Sequence, residues 1–482
     1  MTNINQTEFQ TWIEKEKKTL ELIAIVGHLW LERSIELVLF RKTLVDIASS
    51  ELLAIHQHAR EISNKDISIF DTLEIAKAIK SSNSAPSRID IGTLAAQWTD
   101  SHYKYATVYD FVMRRLAAHI GKDKHSIEPK DIVLYGFGRI GRLVAREIIT
   151  QTGKGEQLRL KAIVARTSQT EDLSKRANLL KSDSIHHEFK GTITIDEPNN
   201  CFIVNGQRIH IINSDHPEEI DYTKYGINNA LLIDNTGTLR DRVGLSKHLH
   251  AKGISKVLLT APGKGDLPDI VVGINDKKVD FKKEDIFTCA SCTTNAIVPV
   301  LQLINDNFKI QKGHVETIHA YTNDQNLLDN YHKKERRGRA AALNMVITET
   351  GAAKAVYKVI PNLAGKLTGS AVRVPVPNGS LAILNLSTHK TILLEKLEEI
   401  LKNEALFGEL SEQIDYSSSK ELVSSDVIGN SHTAIIDGPS TLIGPDSKSL
   451  VLYVWYDNEY GYSKQVVRLA KKIAGVVRLT YY

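Results

Sequence analysis

The stretch from Asp131 to Thr150 limits what this chain can fold into more than any other. Asp131-Ile132-Val133-Leu134-Tyr135 is a short apolar strand, Gly136-Phe137-Gly138-Arg139-Ile140-Gly141-Arg142 follows it, and Leu143–Thr150 reads as a helix. Glycines spaced G-x-G-x-x-G at a strand-to-helix junction permit a tight turn at Gly136, close approach of a pyrophosphate at Gly138 and tight helix–strand packing at Gly141. The helix start, with Arg139 and Ile140, would meet the phosphates with unpaired N–H groups. A glycine-rich turn without a ligand is the competing reading. Further strands are expected at Leu158–Ala165, Ala230–Asp234 and Lys256–Thr260, alternating with helices such as Leu245–Ala251. That alternation predicts a mostly parallel, doubly wound α/β sheet. Asn235-Thr236-Gly237 closes one strand at the end where such sheets bind ligands, which makes Thr236 a cofactor candidate.

At the end of the second strand, sites specific for NAD usually place an acid on the adenosine ribose. Arg166-Thr167-Ser168 stands there instead. An arginine would attract a 2′-phosphate, so the reading leans slightly to NADP and leaves NAD open. In the opposing reading Arg166 points away and Glu171 or Asp172 supplies the acid.

A second stretch carries chemistry: Cys289-Ala290-Ser291-Cys292-Thr293-Thr294-Asn295, between an expected strand (Asp285–Thr288) and an apolar run (Ala296–Leu303) that reads as a helix. A cysteine at such a junction faces the positive end of the helix, which favours the nucleophilic thiolate and is expected to pull its pKa below about 8.5. Cys289-x-x-Cys292 also has the form of a redox pair or half a zinc site. Four zinc ligands are hard to find, because Cys201 is the only other cysteine.

The chain has 482 residues, enough for two or three domains. A formal charge of +4 at this length argues against a nucleic-acid binder or a membrane-surface protein. Three cysteines suit a reducing cytoplasm. Leu22–Leu31, the longest charge-free apolar run near the start, is too short to span a bilayer and lacks a basic leader. A soluble, cytoplasmic protein is therefore expected. Residues 1–128 show helical spacing at Trp12, Ile13, Leu20 and Ile23, then at Leu37, Phe40, Leu44 and Ile47, and again from Leu94 to Ile120. Asp71 with Glu74 reads as a capping box, and Ser81–Ser87 as a loop. This segment is expected to be an all-α domain for packing, oligomerisation or partner binding, and it carries no catalytic cluster.

Downstream, Val315–Gln325 makes a strand whose end delivers His319, which could stabilise a thiolate and shuttle a proton. The basic tract His332–Arg339, Thr350-Gly351 and Arg373 are phosphate candidates. Taken in order, six blocks form one pattern: Gly136–Arg142, Ala290–Asn295, His319–Gln325, Thr350–Val356, Gly365–Gly369 and Trp455–Ser463. From about Asp131 to Ala470 the chain resembles phosphorylating glyceraldehyde-3-phosphate dehydrogenase; residues 1–128 lie outside the resemblance.

The resemblance implies a Rossmann-type nucleotide-binding domain (129–290, completed by a helix at 461–482) and an α+β catalytic domain (291–460). It implies Cys292 as nucleophile toward the aldehyde of glyceraldehyde 3-phosphate and His319 as its base. Thr322 and Arg373 would hold the substrate phosphate; Ser291, Thr293, Thr350 and Gly351 the attacking inorganic phosphate. Arg337 would line the cleft and a subunit interface, Asn458 would hold the nicotinamide carboxamide, and Tyr462 counts among the cofactor-binding residues. A homotetramer working in glycolysis or gluconeogenesis goes with it. Three features depart from the family: the missing second-strand acid, Ala296 where many members carry a second cysteine, and the extension. An erythrose-4-phosphate dehydrogenase, or a non-catalytic regulatory protein on the same scaffold, are the alternative expectations.

Overall fold

The structure, a computed structural model, describes residues 2–63, 65–121, 127–166, 173–348 and 350–482. The N-terminal segment holds helices α1 (Thr2–Arg33), α2 (Ser49–Ser63), α3 (Ile69–Ser81), α4 (Ile91–Ser101) and α5 (Val108–Arg115). It is not all-helical, however. Strands β1 (Glu36–Leu39), β2 (Lys42–Thr43) and β3 (Ser87–Asp90) interrupt it. The expected helical run over Leu37–Ile47 is instead a hairpin, turned by Phe40 and Arg41 in left-handed backbone (φ 48° and 66°). Neither is a glycine. The turn persists because the buried carboxylate of Asp90 accepts both their N–H groups, each at 3.0 Å, while also capping α4 through Gly92 and Thr93. The capping box of α3 belongs to Ser68 and Asp71, not to Asp71 and Glu74, so the helix starts three residues earlier than its acidic residues indicate.

The nucleotide-binding unit runs β4 (Lys130–Tyr135), α6 (Arg139–Thr150), β5 (Leu158–Ala165), α7 (Leu173–Lys181), and a small ribbon of β6 (Ser182–Asp183) and β7 (His187–Glu188). It continues through β8 (Ile193–Asp196), β9 (Cys201–Val204), β10 (Gln207–Asn213), β11 (Ala230–Asp234), α8 (Arg242–His250), β12 (Ile254–Leu259) and β13 (Ile286–Thr288). The sheet order is β13-β12-β11-β4-β5-β10-β9-β8, parallel from β13 to β10. Strands buried on both faces read as continuous apolar runs, as β11 does over residues 230–233.

The catalytic unit begins with α9 (Cys292–Phe308) and β14 (Ile310–Ala320). It then takes β15 (Val346–Thr348), α10 (Ala352–Val359), β16 (Leu367–Val374), β17 (Ser380–Thr388), α11 (Leu394–Phe407), β18 (Ile414–Ser417), β19 (Ala434–Asp437), β20 (Leu442–Ile443) and β21 (Ser449–Tyr456). Its mixed sheet, β15-β16-β14-β17-β21-β19-β18, packs one face on α9, α10 and α11. Helix α12 (Tyr460–Ala474) then returns to the nucleotide-binding core beside α6, burying Val466, Leu469 and Ile473.

The last residues correct a further expectation. Residues 461–482 are not one helix: β22 (Leu479–Tyr481) leaves the nucleotide-binding unit and pairs in parallel with β3. The extension's sheet is therefore β2-β1-β3-β22, built from both ends of the chain. Arg41 donates to Ser411 Oγ at 2.9 Å, the Tyr482 ring lies 3.9 Å from the Arg41 guanidinium, and Leu406 joins the extension's core. Among the described residues, no helix is long and apolar enough to cross a membrane.

Candidate active site

Cys292 is the first residue of α9, so its backbone lies in the turn of unpaired N–H groups. Three devices shape the loop before it. Ser291 caps the helix, its hydroxyl accepting from Thr294 N at 3.0 Å. Ala290 is held in left-handed backbone (φ 53°), its carbonyl receiving the Tyr462 hydroxyl at 2.9 Å. Asn295, whose role the sequence does not disclose, donates to the carbonyls of Cys289 (2.8 Å) and Ser291 (3.0 Å). Side chains from α9 and α12 thus fix a backbone conformation that a non-glycine residue rarely adopts.

His319 comes from the C-terminal end of β14, and its Nε2 lies 3.6 Å from Cys292 Sγ. On the far side of the ring, Nδ1 is 2.7 Å from both the Ala320 carbonyl and Arg373 Nη1, and Arg373 also donates to that carbonyl at 2.8 Å. When Nδ1–H donates to Ala320, Nε2 offers its lone pair to the thiol. When Arg373 donates to Nδ1, Nε2 carries the proton and can donate to a thiolate. The surroundings suit both ends of a proton transfer.

Burial decides the resting state. Desolvation, with the Arg373 charge behind it, pushes His319 down to about 3. Desolvation also pushes the Cys292 thiol above its ordinary value, although Arg373, the Thr293 side chain and the backbone N–H groups oppose it. The expected lowering of the Cys292 thiol is therefore corrected to a rise, because the cost of dehydrating an anion outweighs the opposing Arg373 charge and backbone N–H groups. Cys289 is core, its thiol raised by burial, and all three cysteines are free.

The phosphate candidates divide. Arg373 and Arg337 converge on Asp324, which Arg337 and Thr322 both engage directly; Arg337 Nε also donates to Thr348 Oγ1 at 3.2 Å. Two guanidiniums against one carboxylate leave net positive charge, suited to an anion. Asp324 is a site residue that the sequence reading passed over, although it sits two positions after Thr322. Thr293 hydrogen-bonds Tyr456 OH at 3.1 Å, and Ser291 is occupied as a cap. Thr350 Oγ1 accepts from Ala352 N at 3.1 Å, and Gly351 caps α10 beside open space.

The glycine loop fits a dinucleotide. Gly136 takes φ +93°, and a Cβ there would strike Thr236. At Gly141 a Cβ would come 2.4 Å from the Gly136 carbonyl, whereas at Gly138 it would meet nothing within 4 Å. Gly138 starts α6 without a side-chain cap, leaving its N–H groups for a pyrophosphate. The Arg139 side chain is committed elsewhere, forming ion pairs with Asp183 (3.0 Å) and Glu459 (2.5 Å). Asn458 is buried, its Oδ1 accepting from Ser380 Oγ at 2.7 Å. Tyr462 is buried with its hydroxyl on Ala290, in the loop before α9 rather than on an open surface. Arg166 is exposed at the end of β5; Thr167, Ser168, Glu171 and Asp172 lie outside the described residues.

Residues 130–242 match the family described as glyceraldehyde 3-phosphate dehydrogenase, NAD binding domain, and residues 291–458 match its C-terminal domain. The chain belongs to the glyceraldehyde-3-phosphate dehydrogenase family. It is 40% identical over 346 residues to glyceraldehyde-3-phosphate dehydrogenase 2 of Bacillus subtilis, covering 71% of this chain and 96% of the relative. The figures are 40% over 343 residues, 71% and 98%, for glyceraldehyde-3-phosphate dehydrogenase of Priestia megaterium. A glyceraldehyde-3-phosphate dehydrogenase-like protein of Pseudomonas aeruginosa is 48% identical over 459 residues, covering 94% of this chain and 98% of that one. So long a match takes in most of the extension, whereas the two matches at 71% do not.

Proposed function

We propose that the chain oxidises D-glyceraldehyde 3-phosphate to 1,3-bisphosphoglycerate, reversibly, with NAD or NADP as hydride acceptor. The observation that carries this reading is the Cys292–His319 pair at 3.6 Å, with Arg373 bonded behind the imidazole. Cys292 Sγ attacks the aldehyde carbon as its proton passes to His319 Nε2, forming a thiohemiacetal. The Cys292 N–H at the start of α9 and the His319 N–H steady the oxyanion. His319 returns that proton to the alkoxide, giving the hydroxyl of the thiohemiacetal, and takes it back as the carbon gives up hydride, so that a thioester remains. A nicotinamide bound beside Asn458 would supply the hydride acceptor. Inorganic phosphate, held near Thr350 and Gly351, attacks the thioester carbonyl and frees the thiolate. Arg373, Arg337 and Thr322 would hold the substrate's own phosphate. The extended cofactor would lie along Gly136–Gly141, with Asn458 orienting the carboxamide.

Exposed Arg166 favours a 2′-phosphate, so NADP use is part of the proposal. Exposed Leu327, Leu328, Tyr331 and Leu343 on one loop supply apolar surface for assembly with further copies. The deciding experiment follows cofactor reduction by the purified chain with either glyceraldehyde 3-phosphate or erythrose 4-phosphate, with and without inorganic phosphate. Reduction that requires glyceraldehyde 3-phosphate and phosphate together is expected; phosphate-independent acid formation overturns the reading.

A further inference from the structure

We infer that His248 is a positioning residue for the dinucleotide, acting through Asp234 on the turn that faces the glycine loop. The inference rests on the cofactor reading above but not on the aldehyde or the acyl acceptor. In the sheet, β11 lies on one side of β4 and β5 on the other, so the strand order reverses between β4 and β11. Doubly wound sheets open their ligand crevice at that reversal, beyond the strands' C-terminal ends. The two walls touch here. A Cβ on Gly136 would meet Thr236 Cγ2 at 2.9 Å, and one on Gly141 would come 3.5 Å from Asn235 Cβ. Any shift of the Asp234–Gly237 turn is therefore transmitted to the loop that receives the pyrophosphate.

Asp234, the last residue of β11, is fully buried and divides its carboxylate between two tasks. Its Oδ1 accepts from Thr236 N and Thr236 Oγ1, each at 2.7 Å. Its Oδ2 accepts from His248 Nε2 at 3.0 Å. His248 projects from α8, also fully buried, with its ring edge-on to Tyr135 at 4.7 Å between centroids. Its other nitrogen, Nδ1, is buried with no hydrogen-bond partner among the described residues.

An orphaned ring nitrogen at this depth is costly. Phenylalanine would keep the aromatic contact with Tyr135 and avoid that cost. What the imidazole alone adds is the N–H that occupies Oδ2. With that donor in place, Oδ1 is held on Thr236 and the turn keeps one shape. Without it, a buried carboxylate oxygen is left unpaired, and the carboxylate must reorient away from Thr236 to satisfy it.

The test uses the full-length chain with H248F and H248Q substitutions. Dinucleotide Kd is read by fluorescence titration of NADH and NADPH without aldehyde, beside steady-state KM values. H248F should weaken dinucleotide binding about tenfold, and leave the KM for glyceraldehyde 3-phosphate within about twofold. H248Q, whose amide can donate to the same oxygen, should restore binding to within about threefold. In a T236A background H248F should add little, because the turn it acts through is already cut. Unchanged dinucleotide Kd in H248F, a parallel rise in the aldehyde KM, or no recovery in H248Q would each overturn the inference. Should H248F not fold, H248N, whose shorter amide stops short of Asp234, gives the same comparison with H248Q. A chain that follows this binding pattern yet fails to oxidise glyceraldehyde 3-phosphate would refute the proposed reaction and leave this inference standing.

Discussion

At Cys292 two electrostatic effects oppose each other, and their balance is measurable. Arg373 and the start of α9 favour a thiolate, while burial favours the thiol and prevails. Alkylation of ligand-free enzyme by iodoacetamide should therefore accelerate with pH around a midpoint above the free-cysteine value of about 8.5. R373L should move that midpoint higher still, since it removes the nearest cation. A midpoint near 6 in the wild type would mean that a preformed ion pair, not a neutral pair, is the resting state. H319N should slow turnover by roughly 10²- to 10⁴-fold, the usual worth of a positioned proton acceptor, as read by single-turnover kinetics. That Cys292 and His319 are candidates was readable from the chain because each sits in a short local block; the structure adds that they meet, 3.6 Å apart. Protonation state was not readable, because it depends on how much water the folded site excludes.

At the scale of elements, the strand–loop–helix unit around Gly136 was legible for a local reason: its turn and its helix start are made by adjacent residues. G141A tests that geometry. Its Cβ would press on the Gly136 carbonyl 2.4 Å away, so α6 must move off β4; the expected result is weaker dinucleotide binding and about 1–3 kcal/mol lower stability by urea unfolding. The β1–β2 hairpin was misread for the opposite reason. Leu37, Phe40 and Leu44 stand at helical spacing, and the turn at Phe40 and Arg41 contains none of the residues that usually announce left-handed backbone. What stabilises it is Asp90, some fifty positions away. Removing that carboxylate in D90A leaves Arg41 and several N–H groups buried without their acceptor. A loss of about 3–5 kcal/mol from the extension's unfolding step is expected in urea denaturation; a loss under 1 kcal/mol would show that the turn has other support.

Over the whole molecule, the two chain ends are welded together. β22 lies beside β3, Arg478 pairs with buried Glu36 at 2.9 Å, and Arg88 reaches both Glu412 and Tyr482. Truncation after Val477 removes Arg478, β22 and Tyr482 at once. It should make the extension the first site of cleavage in limited proteolysis while the fold around Gly136 stays resistant; an unchanged cleavage pattern would show the tail to be dispensable. Acid should act on Glu36 at this junction and on two buried histidines elsewhere, His319 beside Cys292 and His432, whose Nε2 meets the Ser411 carbonyl at 3.1 Å. Burial depresses His319 to about 3 and His432 to about 4, and Arg88 and Arg478 overcome desolvation to hold Glu36 near 2. For each group the unfolded chain binds more protons than the folded one in the window between the two pKa values. Stability therefore falls as pH drops from about 6.5 through the histidine window, and falls again from about 4.5 toward 2 as Glu36 protonates. Urea midpoints measured from pH 7 down to pH 3 should decline throughout, and H432Q should flatten the upper part of that slope.

The sequence by itself determined the nucleotide-binding fold and the family, because glycine spacing, strand–helix alternation and contiguous blocks are properties of neighbouring residues. Only the tertiary structure decided three things: that the extension is a mixed α/β layer closed by the chain's own C-terminus, that Asn295 and Tyr462 brace the loop before α9, and that burial raises the Cys292 thiol rather than lowering it. Each depends on groups far apart in the chain meeting where water is excluded, and that exclusion sets both which backbone conformations survive and which protonation states are held.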